Sequence, residues 1–192
     1  YRIRIFLFGS PRIEVNGVIS ALPARDKLLC LFTRLVLQAN SPQGRKHLAF
    51  SLWADEDEAS SLANLRRHLY LLKKSLPKAL QPSLIISTQT VLFQFPANTW
   101  VDVLAFEQEP TSLQEIEEHA LLYTTDLAQG AETDEFIFSR REELRNRYAQ
   151  LLRMLAQTYF NYAEYETSMY WVRKLIAQDP WDEEALRLYM TS

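Results

Sequence analysis

Residues Leu48–Leu76, LAFSLWADEDEASSLANLRRHLYLLKKSL, decide how this chain folds. Leu62, Leu65, Leu69, Leu72 and Leu76 recur at spacings of three and four, which predicts a helix over about 57–76 with one leucine stripe facing a core. Turning each residue by about 100° around the axis puts Ser60, Asn64, Arg67, Leu71 and Lys74 on the outward face. Arg66, Tyr70 and Lys73 stand beside them. A shorter apolar run, about Lys46 to Trp53, precedes this helix. Between the two lie Asp55, Glu56, Asp57 and Glu58, acids that complement the positive end of a helix dipole. The same four acids could suggest a calcium loop, but its glycine and alternating ligand spacing are missing, so no metal is expected.

A short helix followed by a longer basic one is the arrangement of helix-turn-helix DNA readers. The flanking sequence extends it. Arg2 to Phe8 alternates polar and apolar residues, and Arg12 to Ile19 does so again around a turn at Asn16-Gly17, which predicts antiparallel strands. Ala24 to Ala39 carries Leu28, Leu29, Leu31, Phe32, Leu35 and Val36 at helical spacing. After the leucine-striped helix, Pro77 and Pro82 precede LIISTQTVLFQF (84–95), which reads as a hairpin. Strands, three helices and a hairpin make a winged helix with an extra N-terminal sheet. The predicted class is therefore α+β: an N-terminal winged helix-turn-helix with extra β-sheet, then an all-α, TPR-like helical repeat domain.

In this geometry the second helix crosses the DNA backbone, the third enters the major groove, and the hairpin is the wing. A groove about 12 Å wide accepts one helix, whose outward side chains read base edges. Ser60, Asn64, Arg67, Leu71 and Lys74 are the candidate base readers, Asn64 suiting adenine and Arg67 guanine. Arg45, Lys46, Arg66 and Lys73 are the candidate phosphate contacts, which fix register without specifying sequence.

Charge divides the chain. Residues 1–96 hold thirteen Lys and Arg against six Asp and Glu, whereas residues 97–192 hold eight against eighteen. Such asymmetry predicts a nucleic-acid-binding module fused to an acidic module with another partner. The boundary is expected at Pro96-Ala97-Asn98-Thr99, giving a DNA-binding domain at 1–96 and a helical domain at 97–192. Trp100, Val101, Val103, Leu104 and Phe106 would expose an apolar patch unless they pack, so they are expected to dock on the first module. The single cysteine, Cys30, excludes a disulfide framework, reads as a small buried hydrophobe, and predicts a reducing, cytoplasmic setting. No apolar run approaches the ~18 residues of a membrane span, and no membrane association is expected. The chain begins at Tyr1 rather than Met, so it is expected to come from something longer.

In the acidic half, helices are predicted at Ser112 to Tyr123, Phe136 to Tyr162, Tyr165 to Gln178 and from Asp182 onward. Leu152, Leu155, Ala156, Tyr159, Tyr165, Val172, Leu175 and Pro180 fall at tetratricopeptide-repeat spacings, and Asp182-Glu183-Glu184-Ala185-Leu186 opens as a next repeat would. Ala163 stands where that repeat usually has glycine.

These stretches together resemble the SARP-like regulators, which join an OmpR-type winged helix to a bacterial transcriptional activator domain (BTAD). RIRIFLFGSPRIEVNG (2–17) resembles the family's opening sheet, Leu48–Leu76 its two DNA-reading helices, and VDVLAFE (101–107) the start of its activator domain. Residues 135–190 resemble that domain's helical repeats. Leu52-Trp53, followed by acids and then Ala63-Asn64-Leu65-Arg66, is the most specific element. The resemblance implies a transcriptional regulator, an activator, that binds double-stranded promoter repeats, as a homodimer on repeated sites, and engages RNA polymerase. It also implies that the activator domain is truncated at its C-terminus.

The chain departs from the family in its wing, which lacks glycine and basic residues: no Lys or Arg occurs between Lys78 and Arg140. Leu71 stands where arginine is frequent, suited either to a thymine methyl or to a protein interface. The second reading is accordingly a TPR-like interaction scaffold whose winged helix no longer binds DNA. Catalysis is not expected. Four glycines form no phosphate-cradling loop, His47 and His68 lack metal-ligand spacing to each other, and His119, among Glu115, Glu117 and Glu118, reads like them as a solvated or packed histidine, so no catalytic residue, cofactor or metal ligand is assigned.

Overall fold

The computed structural model describes residues 2–180 and Arg187. In chain order the elements are β1 (Ile3–Phe6), β2 (Arg12–Val15), β3 (Val18–Ala21), α1 (Asp26–Leu37), β4 (Gln43–Gly44), α2 (Arg45–Leu52) and α3 (Glu58–Ser75). Then follow β5 (Leu84–Ile86), β6 (Thr90–Phe93), β7 (Thr99–Val101), α4 (Asp102–Phe106), α5 (Leu113–Leu122), α6 (Glu135–Asn161) and α7 (Tyr165–Gln178). The predicted helix from Asp182, and with it the start of a next repeat, lies outside the described residues. The α+β class is as predicted.

The described residues form two compact units, one of residues 2–105 with 125–141 and one of 106–124 with 142–180. A single cut between 96 and 97 does not describe this division, for two physical reasons. β7 pairs in parallel with β1, Ile3 opposite Thr99 and Ile5 opposite Val101, which ties residues 99–101 to the N-terminal sheet. Directly after it, the buried carboxylate of Asp102 accepts the backbone N–H groups of Leu7, Phe8 and Val103 at 2.7–3.0 Å. Burial raises the Asp102 pKa, and those three N–H groups act against the shift.

In the first unit the sheet runs β3-β2-β1-β7. Its β2–β3 hairpin closes through Asn16 (φ 50°) and Gly17 (φ 86°), the two left-handed residues that a two-residue turn requires. Ile3, Ile5 and Ile13 from this sheet, with Leu7 just after β1, are all buried, as are Leu28, Leu31, Phe32 and Leu35 of α1. A second sheet, β4-β6-β5, carries the predicted hairpin, and Phe93 on β6 meets Phe32 edge-on at 6.2 Å between centroids. Val101 and Val103 are buried as expected, while Trp100 is half-buried and edge-on to Phe6.

Residues 125–141 return to this unit and are fastened to its backbone and to α1. Ala128 N–H donates to the Leu7 carbonyl (2.7 Å) and Gly9 N–H to that of Asp126 (2.8 Å). Asp26, first residue of α1, accepts the Glu132 and Thr133 N–H groups and the Thr133 hydroxyl. Asp134 receives two hydrogen bonds from the buried Arg34 guanidinium, at 2.9 and 3.2 Å. Cys30 is fully buried nearby, and burial, with the charges of Asp26 and Asp134, pushes its thiol up to about 12. It is a packed hydrophobe and not a nucleophile.

The second unit is helical. Leu152, Leu155 and Ala156 of α6 and Val172 and Leu175 of α7 are fully buried, and the Ser168 hydroxyl donates to the Ala156 carbonyl at 2.8 Å. Tyr159, half-buried, donates its hydroxyl to Glu117, which pushes the phenol up to about 12. Tyr165, another residue of the repeat pattern, is 48% exposed. Ala163 turns the chain between α6 and α7 with φ +58°, a left-handed conformation that explains why glycine is usual there.

Candidate nucleic-acid interface

The second and third helices are set against each other by apolar packing. Leu48, Ala49 and Leu52 of α2, with Trp53 after it, are buried, as are Leu65, Leu69, Leu72 and Leu76 of the leucine stripe. Leu62 departs from the pattern: it is half-exposed, and Ser61 takes the buried position one turn ahead of Leu65. The reason is local. The small Ser61 side chain fits beneath the α2–α3 turn and donates to the Asp57 carbonyl (2.8 Å), with the Trp53 carbonyl an alternative acceptor at 3.2 Å, a polar contact that a leucine could not make.

At its start, α3 is capped by Asp57, which accepts from the Ser60 backbone N–H (3.0 Å) and hydroxyl (2.7 Å). These bonds hold the Asp57 carboxyl below its ordinary value of 3.8. Ser60 is thus engaged in the cap. Asn64 is half-buried and donates its amide to Glu56 at 2.6 Å, and its carbonyl is bonded to His68 Nδ1 at 2.8 Å. Arg66 and Arg67 are exposed and hold no hydrogen bond or ion pair among the described residues. Tyr70 is 61% exposed, and the Lys74 ammonium lies 5.3 Å from its ring centre. Leu71 is half-buried. The most open stripe of α3 therefore runs through Ala63, Arg67, Tyr70 and Lys74, about one residue around from the stripe through Ser60, Asn64 and Leu71. Tyr70 is central to it. The signal that finds it is Ser61, whose small polar side chain can be buried under Trp53 and rotate the inward face.

Of the phosphate candidates, three line one cleft. A cavity of about 470 Å³ opens between the start of α2, α3 and the tip of the hairpin, lined by Gly44, Arg45, Lys46, Leu62, Arg66, Thr88 and Gln89. α2 starts at Gly44 with no side-chain cap. Arg45 braces the hairpin, its backbone N–H donating to the Gln89 carbonyl (2.8 Å) and its guanidinium to that of Ser87 (3.0 Å). The hairpin tip is further held by Ser87, whose hydroxyl accepts the Gln89 and Thr90 N–H groups. Lys46 points to Glu58 at 2.5 Å. Lys73 reaches instead toward the Leu84 carbonyl at 3.4 Å, at the base of the hairpin. On that hairpin Ile85 and Ile86 are 45% and 38% exposed.

A basic helix face, a basic cleft at its flank and a hairpin across the cleft make up the winged-helix class of fold, here carried in one chain with a helical unit. No family model and no curated protein matches the sequence. Among solved structures the chain is similar to Mycobacterium tuberculosis EmbR in complex with a low affinity phosphopeptide, with a TM-score of 0.80 and 16% identity. The likeness covers 99% of this chain and 54% of that one, so the present chain spans about half the length of EmbR. At this identity the shared property is the fold, from the N-terminal strands through the helical unit.

Proposed function

We propose that this chain is the DNA-binding and activator portion of a SARP-type transcriptional regulator. The observation that carries the reading is the juxtaposition of unpaired Arg66 and Arg67 on α3 with the cleft lined by Arg45 and Lys46 at the start of α2. Arg67 and Lys74 on the open stripe read base edges, with Tyr70 between them. Lys46 and Arg66 take phosphates in the cleft, where the uncapped α2 N-terminus adds its own attraction for an anion. Asn64 reads a base once its amide leaves Glu56. Arg45 serves chiefly to hold the hairpin, and Lys73 contacts the backbone beside it. Domain roles follow the two units, with RNA polymerase engaged through the helical one and a homodimer on repeated promoter sites. Among the described residues no helix is long and apolar enough to cross a membrane. The regulator acts in the cytoplasm without cofactor or catalysis.

The experiment is selection of duplexes from a random pool by the wild-type chain and by Arg67→Ala. The wild type enriches a defined sequence, and the variant loses preference at one position, since a bidentate arginine contact discriminates by about 1–3 kcal/mol. Equal losses on selected and random duplex would reassign Arg67 to a phosphate.

One set of observations favours the second reading, a protein-interaction scaffold. Tyr70, Ile85 and Ile86 are exposed, and the hairpin carries no charge to meet a phosphate backbone. Absence of duplex binding at low salt would select this alternative.

A further inference from the structure

Two side chains assigned to DNA are already occupied by carboxylates at the start of α3, one in the turn before it and one on its first residue. Glu58 Oε1 stands 2.5 Å from Lys46 Nζ, and Asn64 Nδ2 donates to Glu56 Oε2 at 2.6 Å. Asp57, between them, is used differently, as the helix cap. Each of the two outer acids thus places an anionic oxygen on a donor that DNA would otherwise fill, a phosphate oxygen on Lys46 and a base acceptor on Asn64.

We propose that Glu56 and Glu58 are affinity-setting residues that compete with DNA for the face they occupy. The proposal rests on the DNA-binding reading. Glu58 acts on every duplex, because any phosphate taken by Lys46 must first displace it. Glu56 acts only on a duplex that carries the base Asn64 reads, because other duplexes leave the Asn64–Glu56 bond unbroken. The side chains of the Lys46–Glu58 pair are 70% and 49% exposed. Exposed pairs of this kind are weak, which sets the expected change at about two- to fivefold and not orders of magnitude.

The test is fluorescence anisotropy on the full chain, with a duplex selected from a random pool and a scrambled duplex of the same composition. Glu58→Gln is expected to tighten both duplexes about two- to fivefold, and this gain is expected to vanish when Lys46→Ala is combined with it. Glu56→Ala, which removes the acceptor for Asn64, is expected to tighten the selected duplex alone. Thermal melting alongside wild type confirms that each variant is folded. Wild-type binding by Glu58→Gln, or an undiminished gain in the Lys46→Ala background, overturns the proposal while leaving DNA binding intact. Failure of folded wild type and Glu58→Gln alike to bind any duplex at low salt overturns the DNA-binding reading, and the inference with it.

Discussion

Replacing Asp134 by alanine removes the carboxylate that, among the described residues, meets Arg34, and the structure allows the cost to be worked through. The Asp134 side chain is fully buried and that of Arg34 is 7% exposed, with their nearest oxygen and nitrogen 2.9 Å apart. Arg34 keeps a hydrogen bond to Ser51 Oγ (2.9 Å) and the face of Phe136, but neither neutralises its charge. Breaking one partner of a buried pair costs about 3–5 kcal/mol, mostly from the stranded charge. Asp134 Oδ1 also accepts the Ile137 N–H at 3.1 Å, capping α6, and losing a cap costs about 1 kcal/mol more. A loss of about 4–6 kcal/mol rivals the whole stability of a small domain. Hydrogen exchange read by mass spectrometry separates the units: amides of α1 should lose protection in Asp134→Ala, while those of α7 stay protected. Replacing both partners, Arg34→Met with Asp134→Leu, should recover most of the loss, because no charge is then stranded. Unchanged α1 protection, or a urea midpoint equivalent to less than about 1 kcal/mol of loss, would refute the reasoning.

Leu69→Ala, which empties a site only 1% exposed on α3, should destabilise the first unit by about 2–5 kcal/mol, measured by urea unfolding. Lost DNA binding at unchanged stability would instead mean that the two helix faces are misassigned. Ala163→Gly should stabilise the second unit by about 1 kcal/mol, because it relieves a left-handed residue at φ +58°; a lower melting temperature would contradict this. The Asp57 cap gives a pH dependence. Its carboxyl is lowered in the folded state, so its contribution is complete above the ordinary value of 3.8 and is lost as pH falls through the folded value. Asp57→Asn should flatten the acid limb of the pH–stability curve, and an unaltered limb would show that the cap contributes nothing to it.

The parts of the fold that sequence makes legible are those governed by one element's own periodicity. The leucines at 65, 69, 72 and 76, the Asn16-Gly17 turn and the β5–β6 hairpin each follow from residues within a dozen positions of one another. What is hidden depends on distant partners. β7 has three residues, and its register is set by β1, nearly a hundred positions earlier. Residues 125–141 carry no local sign that Asp134 answers Arg34, or that Asp26 holds the chain at Thr133.

At the candidate interface the basic residues are legible from helical spacing, but their occupancy is not. Helix geometry places Lys46 and Asn64 on the DNA side, yet only the folded turn between α2 and α3 brings Glu58 and Glu56 onto them. The inward face is likewise turned by a polar residue, Ser61, that a count of apolar positions passes over.

The central claim, that the cleft between α2, α3 and the hairpin takes the phosphate backbone of duplex DNA, is tested most directly by the salt dependence of binding. Each phosphate neutralised contributes a slope of about −0.9 to a plot of log affinity against log salt. With Lys46 and Arg66 both in the cleft, the wild-type slope should be about −1.8 or steeper, and Lys46→Ala should make it shallower by about 0.9 on every duplex. A flat slope, or a Lys46→Ala slope identical to that of wild type, would contradict the assignment.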